Sequence, residues 1–400
     1  MCNISVMKTL KQELTRELTE NILPFWAEKV YDPASEGFIG RIDGNGRSFP
    51  LSERGAVMNA RILWTFSSAW RILHDSSYLE MAQKAYRYIT THFIDREYGG
   101  VFWSLDCDGT PKDTRKQFYA IAFTLYALAE YYRATGEQSA LKEAAELFQS
   151  IEDHSLDMTD GGYLEACTRC WEPIEDMRLS EKDRNDAKTM NTHLHILEAY
   201  TGLYRVWPDE KVGDALKYTI NLFLERIIGS NGHLGLFFDE KWRPDSTAVS
   251  YGHDIEASWL LCEAADVLGS RDLSATVREV AQKVAEASME GFTAGRGMEY
   301  EFDPETMHRN TSRDWWVQAE TVVGCLNMFQ LTGESLWKER ALDEWEFIKA
   351  DIICPEGEWY WGAVPQGDEF CPDTVNDRAG FWKCPYHNGR MCMEIIERIP

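Results

Sequence analysis

The chain has 400 residues, 44% hydrophobic, 27% charged and 12% aromatic, with a formal net charge of −25. This composition is globular, and the acidity, with no basic cluster to offset it, excludes a partner built on a phosphate backbone. No apolar run reaches the roughly 18 residues of a membrane span.

The first stretch, "MCNISVMKTLKQELTRELTE", lacks the apolar segment of a secretory signal, which predicts a cytoplasmic protein. Its ten cysteines are then expected as reduced thiols. From there on two signals alternate. One is a glycine followed by aromatic or apolar residues: "EGFIG", "GGVFW", "GGYLE", "GLFFD", "GMEYEF" and "GEWYWG", at steps of 63, 62, 73, 62 and 60 residues. The other is a short breaker: "HDSSYL", "TGEQSAL", "WPDEKV", "GSRDL" and "TGESLW", at steps of 61, 72, 62 and 63. Two interleaved series with one period mark a repeat architecture.

Each unit reads helix, short turn, helix, longer glycine loop, and the loops are expected to form short hairpins. Six sequential pairs make twelve helices. An all-α (α/α)6 barrel of six inner and six outer helices is the reading favoured over an open solenoid, since no terminal unit looks like a polar cap. No Pro-, Ser- or Gly-rich linker divides the chain, so residues 1–400 are read as a single catalytic domain, and a monomer is expected.

The helices that follow glycine loops are apolar nearly all round, and their unusual polar residues lie near their starts. Arg61 in "AVMNARILWTFSSAWRIL" is either a buried ion pair or a grip on a substrate oxygen. Cys167 and Cys170 form a lone C-x-x-C with no ligand partners at zinc spacing. In "NTHLHILEAY", Asn191 and His195 share a face, and His193 points elsewhere. In "GHDIEASWLL", His253 and Glu256 share a face, so the carboxylate is expected to hold the imidazole's tautomer. In "DWWVQAE", Trp316 and Glu320 share a face, as a sugar platform with a hydroxyl acceptor or as core packing. "FWKCPYHNGR" supplies Trp382 and His387; Pro385 stiffens the approach to the last helix and Asn388 is read as its cap.

An inverting glycosidase needs two carboxylates about a water, and the chain's many acids keep that option open. It leaves the histidines idle. Two imidazoles facing one carbon instead suit proton removal beside a carbonyl on one face and return on the other, because histidine titrates near neutrality. Arg61 or His195 then stabilises the enediolate oxygen.

Taken together, "NARILWTFS", "NTHLHILEAY", "YGHDIEASWLL", "RDWWVQAE" and "WKCPYHNGR" resemble the N-acylglucosamine 2-epimerase superfamily, and within it the cellobiose 2-epimerases. The resemblance runs from residue 54 to 390 and implies the (α/α)6 barrel. It implies a cofactor-free enzyme, without a metal, that converts the reducing-end glucose of a β-1,4-linked disaccharide to mannose. On it, His253 and His387 are the acid/base pair. Arg61, Asn191 and His195 hold the reacting end. Tyr119 lines the site, Glu256 and Glu320 are polar partners, Trp316 and Trp382 stack on sugar rings, and Asp183 approaches the distal sugar. N-acylglucosamine or mannose 2-epimerases and aldose–ketose isomerases are near alternatives; a noncatalytic glycan-binding barrel is the alternative of another class.

Overall fold

The computed structural model describes residues 2–180 and 183–400. The chain opens with α1 (Cys2–Arg16), which runs on through wide π turns and the short α2 (Leu23–Phe25) to Val30. Then come α3 (Ala56–Leu73), α4 (Ser76–Tyr88), α5 (Phe118–Thr135), α6 (Gln138–His154), α7 (Met190–Val206), α8 (Glu210–Leu222), α9 (Tyr251–Leu268), α10 (Arg271–Ser288), α11 (Trp315–Thr332), α12 (Ser335–Phe347) and α13 (Tyr386–Arg398).

The odd-numbered helices from α3 to α13 are buried on every face over most of their length, as expected of helices walled in on both sides. They pack in sequence, and α13 packs back on α3, so the ring is closed and the solenoid reading falls. The helices α4, α6, α8 and α10 are amphipathic, burying one stripe against the inner ring. Short turns join inner to outer helix; α5 ends at Gly136 with φ 74°, where a side chain would be strained.

Two details differ from the sequence reading. Only five pairs are sequential. The sixth is assembled from both ends of the chain, with α1 packed on α13. Lys11 Nζ donates to the Ile399 carbonyl across that junction. The glycine loops also do more than form private hairpins. The dipeptide before an inner helix pairs with the loop of the following unit: Arg54–Gly55 with Ser104–Leu105, Lys116–Gln117 with Ala166–Cys167, and Lys188–Thr189 with Phe237–Phe238. Val249–Ser250 and Arg313–Asp314 repeat the pattern. Backbone hydrogen bonds therefore stitch each unit to the next around one mouth of the barrel.

Four of these five dipeptides carry a buried cation. Lys116 Nζ lies 2.9 Å from Asp95, and Lys188 Nζ 2.7 Å from Asp157. Arg54 donates to Tyr88 Oη at 2.7 Å, and Arg313 to the Arg296 carbonyl at 2.6 Å. Aromatic rings cover them: Trp171 lies over Lys116 and Trp242 over Lys188. Among the described residues, no helix is long and apolar enough to cross a membrane.

Candidate active site

All six inner helices begin at the stitched mouth, so their first two turns meet on the barrel axis. About one turn in, α3 contributes Arg61, α7 His195, α9 Glu256, α11 Glu320 and α13 Arg390, all buried. A charge there survives only with partners. Arg390 supplies them: Nη2 donates to Glu256 Oε1 and to Glu320 Oε1, each at 2.6 Å, and Nη1 donates to Glu198 Oε1. Its guanidinium also lies over the Trp259 and Tyr386 rings, at 4.8 and 4.4 Å.

Above this floor stand two histidines. His387, in the first turn of α13, places Nδ1 2.7 Å from Glu320 Oε1, and Trp259 Nε1 donates to the other Glu320 oxygen at 3.0 Å. His253, in the first turn of α9, pairs Nδ1 with Ser250 Oγ at 2.7 Å. The Trp316 ring lies 4.6 Å from the His253 ring and 5.8 Å from the His387 ring. Burial pushes His253 down to about 3, with His195 adding repulsion. Burial, then Arg61 and Arg390, hold His387 well below the ordinary imidazole range. Both rings are therefore neutral bases at pH 7.

Across the floor, Arg61 donates to Tyr119 Oη at 2.9 Å and lies over the Phe123 ring at 4.2 Å. It also reaches Cys384 Sγ at 3.7 Å, and no carboxylate ion pair holds it among the described residues. That leaves its charge free for a ligand. His195 pairs Nδ1 with Glu198 at 3.0 Å and packs against Tyr119 and Phe123. Trp382 borders Tyr119 and Trp103, with ring centroids 5.9 Å away in each case. A cavity of about 140 Å³ leads outward from His253, Ser250 and Asn191 past Asp183, Tyr300 and Glu301. The Asn191 Oδ1 is buried without a partner.

Ten of the eleven residues expected from sequence thus meet on the floor or its immediate wall. Asp183 sits farther out on the cavity, holding Ser180 Oγ at 2.9 Å. Two expectations need correction, and a third gains a role. Glu256 does not orient His253; it turns to Arg390 and to His387, 3.9 Å from Nδ1, and Ser250 takes its place. Asn388 does not cap α13; the cap position is Pro385, and Asn388 is buried against Glu358 at 2.5 Å. His193 does point elsewhere, but as a buried strut that accepts the Tyr163 N–H at 2.9 Å.

The sequence reading missed Glu198, Trp259, Tyr386 and the central role of Arg390. The argument applied to Arg61 finds Arg390 too: a guanidinium in a buried helix demands carboxylates, and Glu198, Glu256 and Glu320 are acids buried within inner helices. Glu256, Glu320 and His387 also bring donor atoms within 4.8 Å of one another, the spacing of a metal site. Arg390 already donates to both carboxylates there and would repel a second cation, so the set does not fit a resident one.

The family model described as N-acylglucosamine 2-epimerase (GlcNAc 2-epimerase) matches residues 37–377. The chain belongs to the N-acylglucosamine 2-epimerase family. Similar members of this family include a cellobiose 2-epimerase from Bacteroides fragilis, 52% identical over 97% of this chain and 98% of that one. A second, from Ruminococcus albus, is 40% identical over 96% of this chain and 98% of its own. The solved cellobiose 2-epimerase of Bacillus thermoamylovorans superposes with a TM-score of 0.92 at 38% identity, covering 98% of this chain and all of that one. The (α/α)6 barrel is thus the family's fold, and the chain is an enzyme of the epimerase class.

Proposed function

We propose that the protein epimerises the reducing-end glucose of β-1,4-linked disaccharides such as cellobiose at C2, giving the mannose-ended epimer through ring opening and a cis-enediolate. The observation that carries this reading is the pair of neutral imidazoles, His253 and His387, bordering one indole at the barrel floor. A neutral imidazole removes the C2 proton, which is acidic once the ring opens to the aldehyde. The Glu320 carboxylate then stabilises the imidazolium formed at His387. The second imidazole, once protonated from solvent, delivers that proton to the opposite face, and the first then releases its own to solvent; which acts first depends on the direction of reaction.

Charge develops on the carbonyl oxygen as the proton leaves. Arg61, with His195 and Asn191 beside it, is the electropositive side of the floor and receives that oxygen. Trp316 and Trp382 offer apolar faces to the sugar rings, Tyr119 closes the wall, and Glu256 holds Arg390 in place. Asp183 meets the distal sugar at the mouth. The whole chain acts as one catalytic domain, as a cytoplasmic monomer, and the scheme calls on no metal or redox cofactor.

Proton NMR of cellobiose incubated with the protein in D2O tests this. Growth of 4-O-glucosyl-mannose with deuterium at C2 is the expected result. Conversion of free mannose or N-acetylglucosamine alone moves the specificity within the family. A ketose product assigns the isomerase, in which the proton returns to C1. No exchange with any reducing sugar leaves the glycan-binding barrel.

A further inference from the structure

Arg390 stands at the centre of an unbroken chain of buried hydrogen bonds. His195 Nδ1 pairs with Glu198 Oε2 at 3.0 Å, and Glu198 Oε1 accepts from Arg390 Nη1 and from the Tyr386 hydroxyl. Arg390 Nη2 then bonds Glu320 Oε1 at 2.6 Å, and the same oxygen lies 2.7 Å from His387 Nδ1. Every member is almost wholly buried. Three carboxylates converge on a single guanidinium, an arrangement that only a planar, multiply donating cation satisfies.

Resting on the reading above, we propose that Arg390 is a positioning residue that joins His195 and His387 into one electrostatic unit, so that a proton gained by His387 is felt at His195. His387 is faced by Arg61 from α3, His195 and Glu198 from α7, Glu256 from α9 and Glu320 from α11, with Tyr386 and Arg390 on its own helix. His195 is faced by Arg61, Tyr119, Glu198, His253 and Arg390. In both sets Arg390 is the cation bonded to the carboxylate that holds the imidazole. The consequence is chemical. When His387 takes the C2 proton, the added positive charge weakens the hold of the Glu320 side on Arg390. The guanidinium shifts its hydrogen bonding towards Glu198, which loosens that carboxylate's hold on the His195 Nδ1–H at the moment that charge forms on the enediolate.

Two variants test this. Arg390→Lys keeps the charge but not the fork. Its kcat is expected to fall about 100-fold with KM little changed, and the acid limb of kcat/KM to stay in place. Arg390→Met removes the charge, and the acid limb should move up by about one pH unit. The readout that needs no turnover is 15N NMR of the imidazoles in the resting protein: the His195 and His387 titrations should rise together in Arg390→Met. Unmoved titrations in a folded Arg390→Met, or full kcat in Arg390→Lys, overturn the proposal. Should Arg390→Met not fold, the Arg390→Lys kcat alone decides. If the unmodified protein turns over no aldose, the functional reading fails, while the imidazole titrations still decide the coupling.

Discussion

His193 on α7 and Gln318 on α11 hold the same post. Each is the fourth residue of its helix, and each accepts the backbone N–H of the residue after a loop glycine: Tyr163 at 2.9 Å for His193, Met298 at 2.9 Å for Gln318. Asp254, fourth in α9, likewise accepts from Leu234 N–H at 2.9 Å, two residues after Gly232. The inner helices thus pin the loops that precede them, whatever side chain supplies the acceptor.

The equivalence makes His193→Gln a clean test of pH-linked stability. Burial lowers His193 to about 4. An imidazole depressed in the fold is neutral in both states above the unfolded value near 6.5; below it, only the unfolded chain takes the proton. Stability is therefore lost as pH falls from about 6.5 to about 4, by roughly 1.4 kcal/mol per unit for this residue. Urea unfolding at steps across that window should show the loss, and His193→Gln, which keeps an acceptor for Tyr163, should flatten it. Equal slopes in the two proteins refute the assignment.

The histidine pair predicts an asymmetry in isotope exchange. With His253→Asn or His387→Asn, net epimerisation should fall by about a thousandfold. Each variant should still wash deuterium into C2 of one epimer, the one whose proton faces the remaining base, and not the other. Following both disaccharides by NMR assigns each imidazole to a face; exchange of both epimers in either variant sinks the two-base scheme.

Removing a buried partner at the mouth should cost more than a surface pair. Lys188 is fully buried against Asp157. Lys188→Met is expected to destabilise the fold by about 3 kcal/mol, because it strands the carboxylate, and Asp157→Asn in the same chain should recover part of that loss. Chemical denaturation of the single and double variants measures the coupling, and an additive result argues that the pair is idle.

Gly162 and Gly136 separate backbone strain from crowding. Both have left-handed φ, 82° and 74°. A Cβ at Gly136 meets nothing within 4 Å, whereas at Gly162 it falls 2.3 Å from the Trp242 ring that covers Lys188. Gly136→Ala should cost about 1 kcal/mol and Gly162→Ala about 3 or more. Equal losses of unfolding free energy would mean that Trp242 moves aside freely.

The period of the repeat and the apolar inner helices were legible because burial on all sides leaves a plain mark on sequence. The polar residues at the helix starts were legible for the same reason: Arg61, His195 and Glu320 stand out against apolar neighbours. Long-range pairing was not. Nothing local tells Glu256 to choose Arg390 over His253, since helical spacing puts Glu256 and His253 on one face and only the ring brings Arg390 alongside. Nor does local sequence assign Asn388, whose partner Glu358 lies in the loop before α13. One further signal was present and went unread. A basic residue precedes four of the inner helices, at Arg54, Lys116, Lys188 and Arg313, in step with the glycines.

The pairing of α1 with α13 carries a consequence for biosynthesis. The inner helix bearing His387 and Arg390 emerges from the ribosome after the other five, and its outer partner emerges before them. A growing chain can stack its five sequential pairs as they emerge, but it holds only one of the two proposed proton-transfer residues until the ends meet. On the proposed scheme, catalytic competence therefore reports the completed ring, and a nascent or clipped chain lacking α13 is expected to be silent towards sugars.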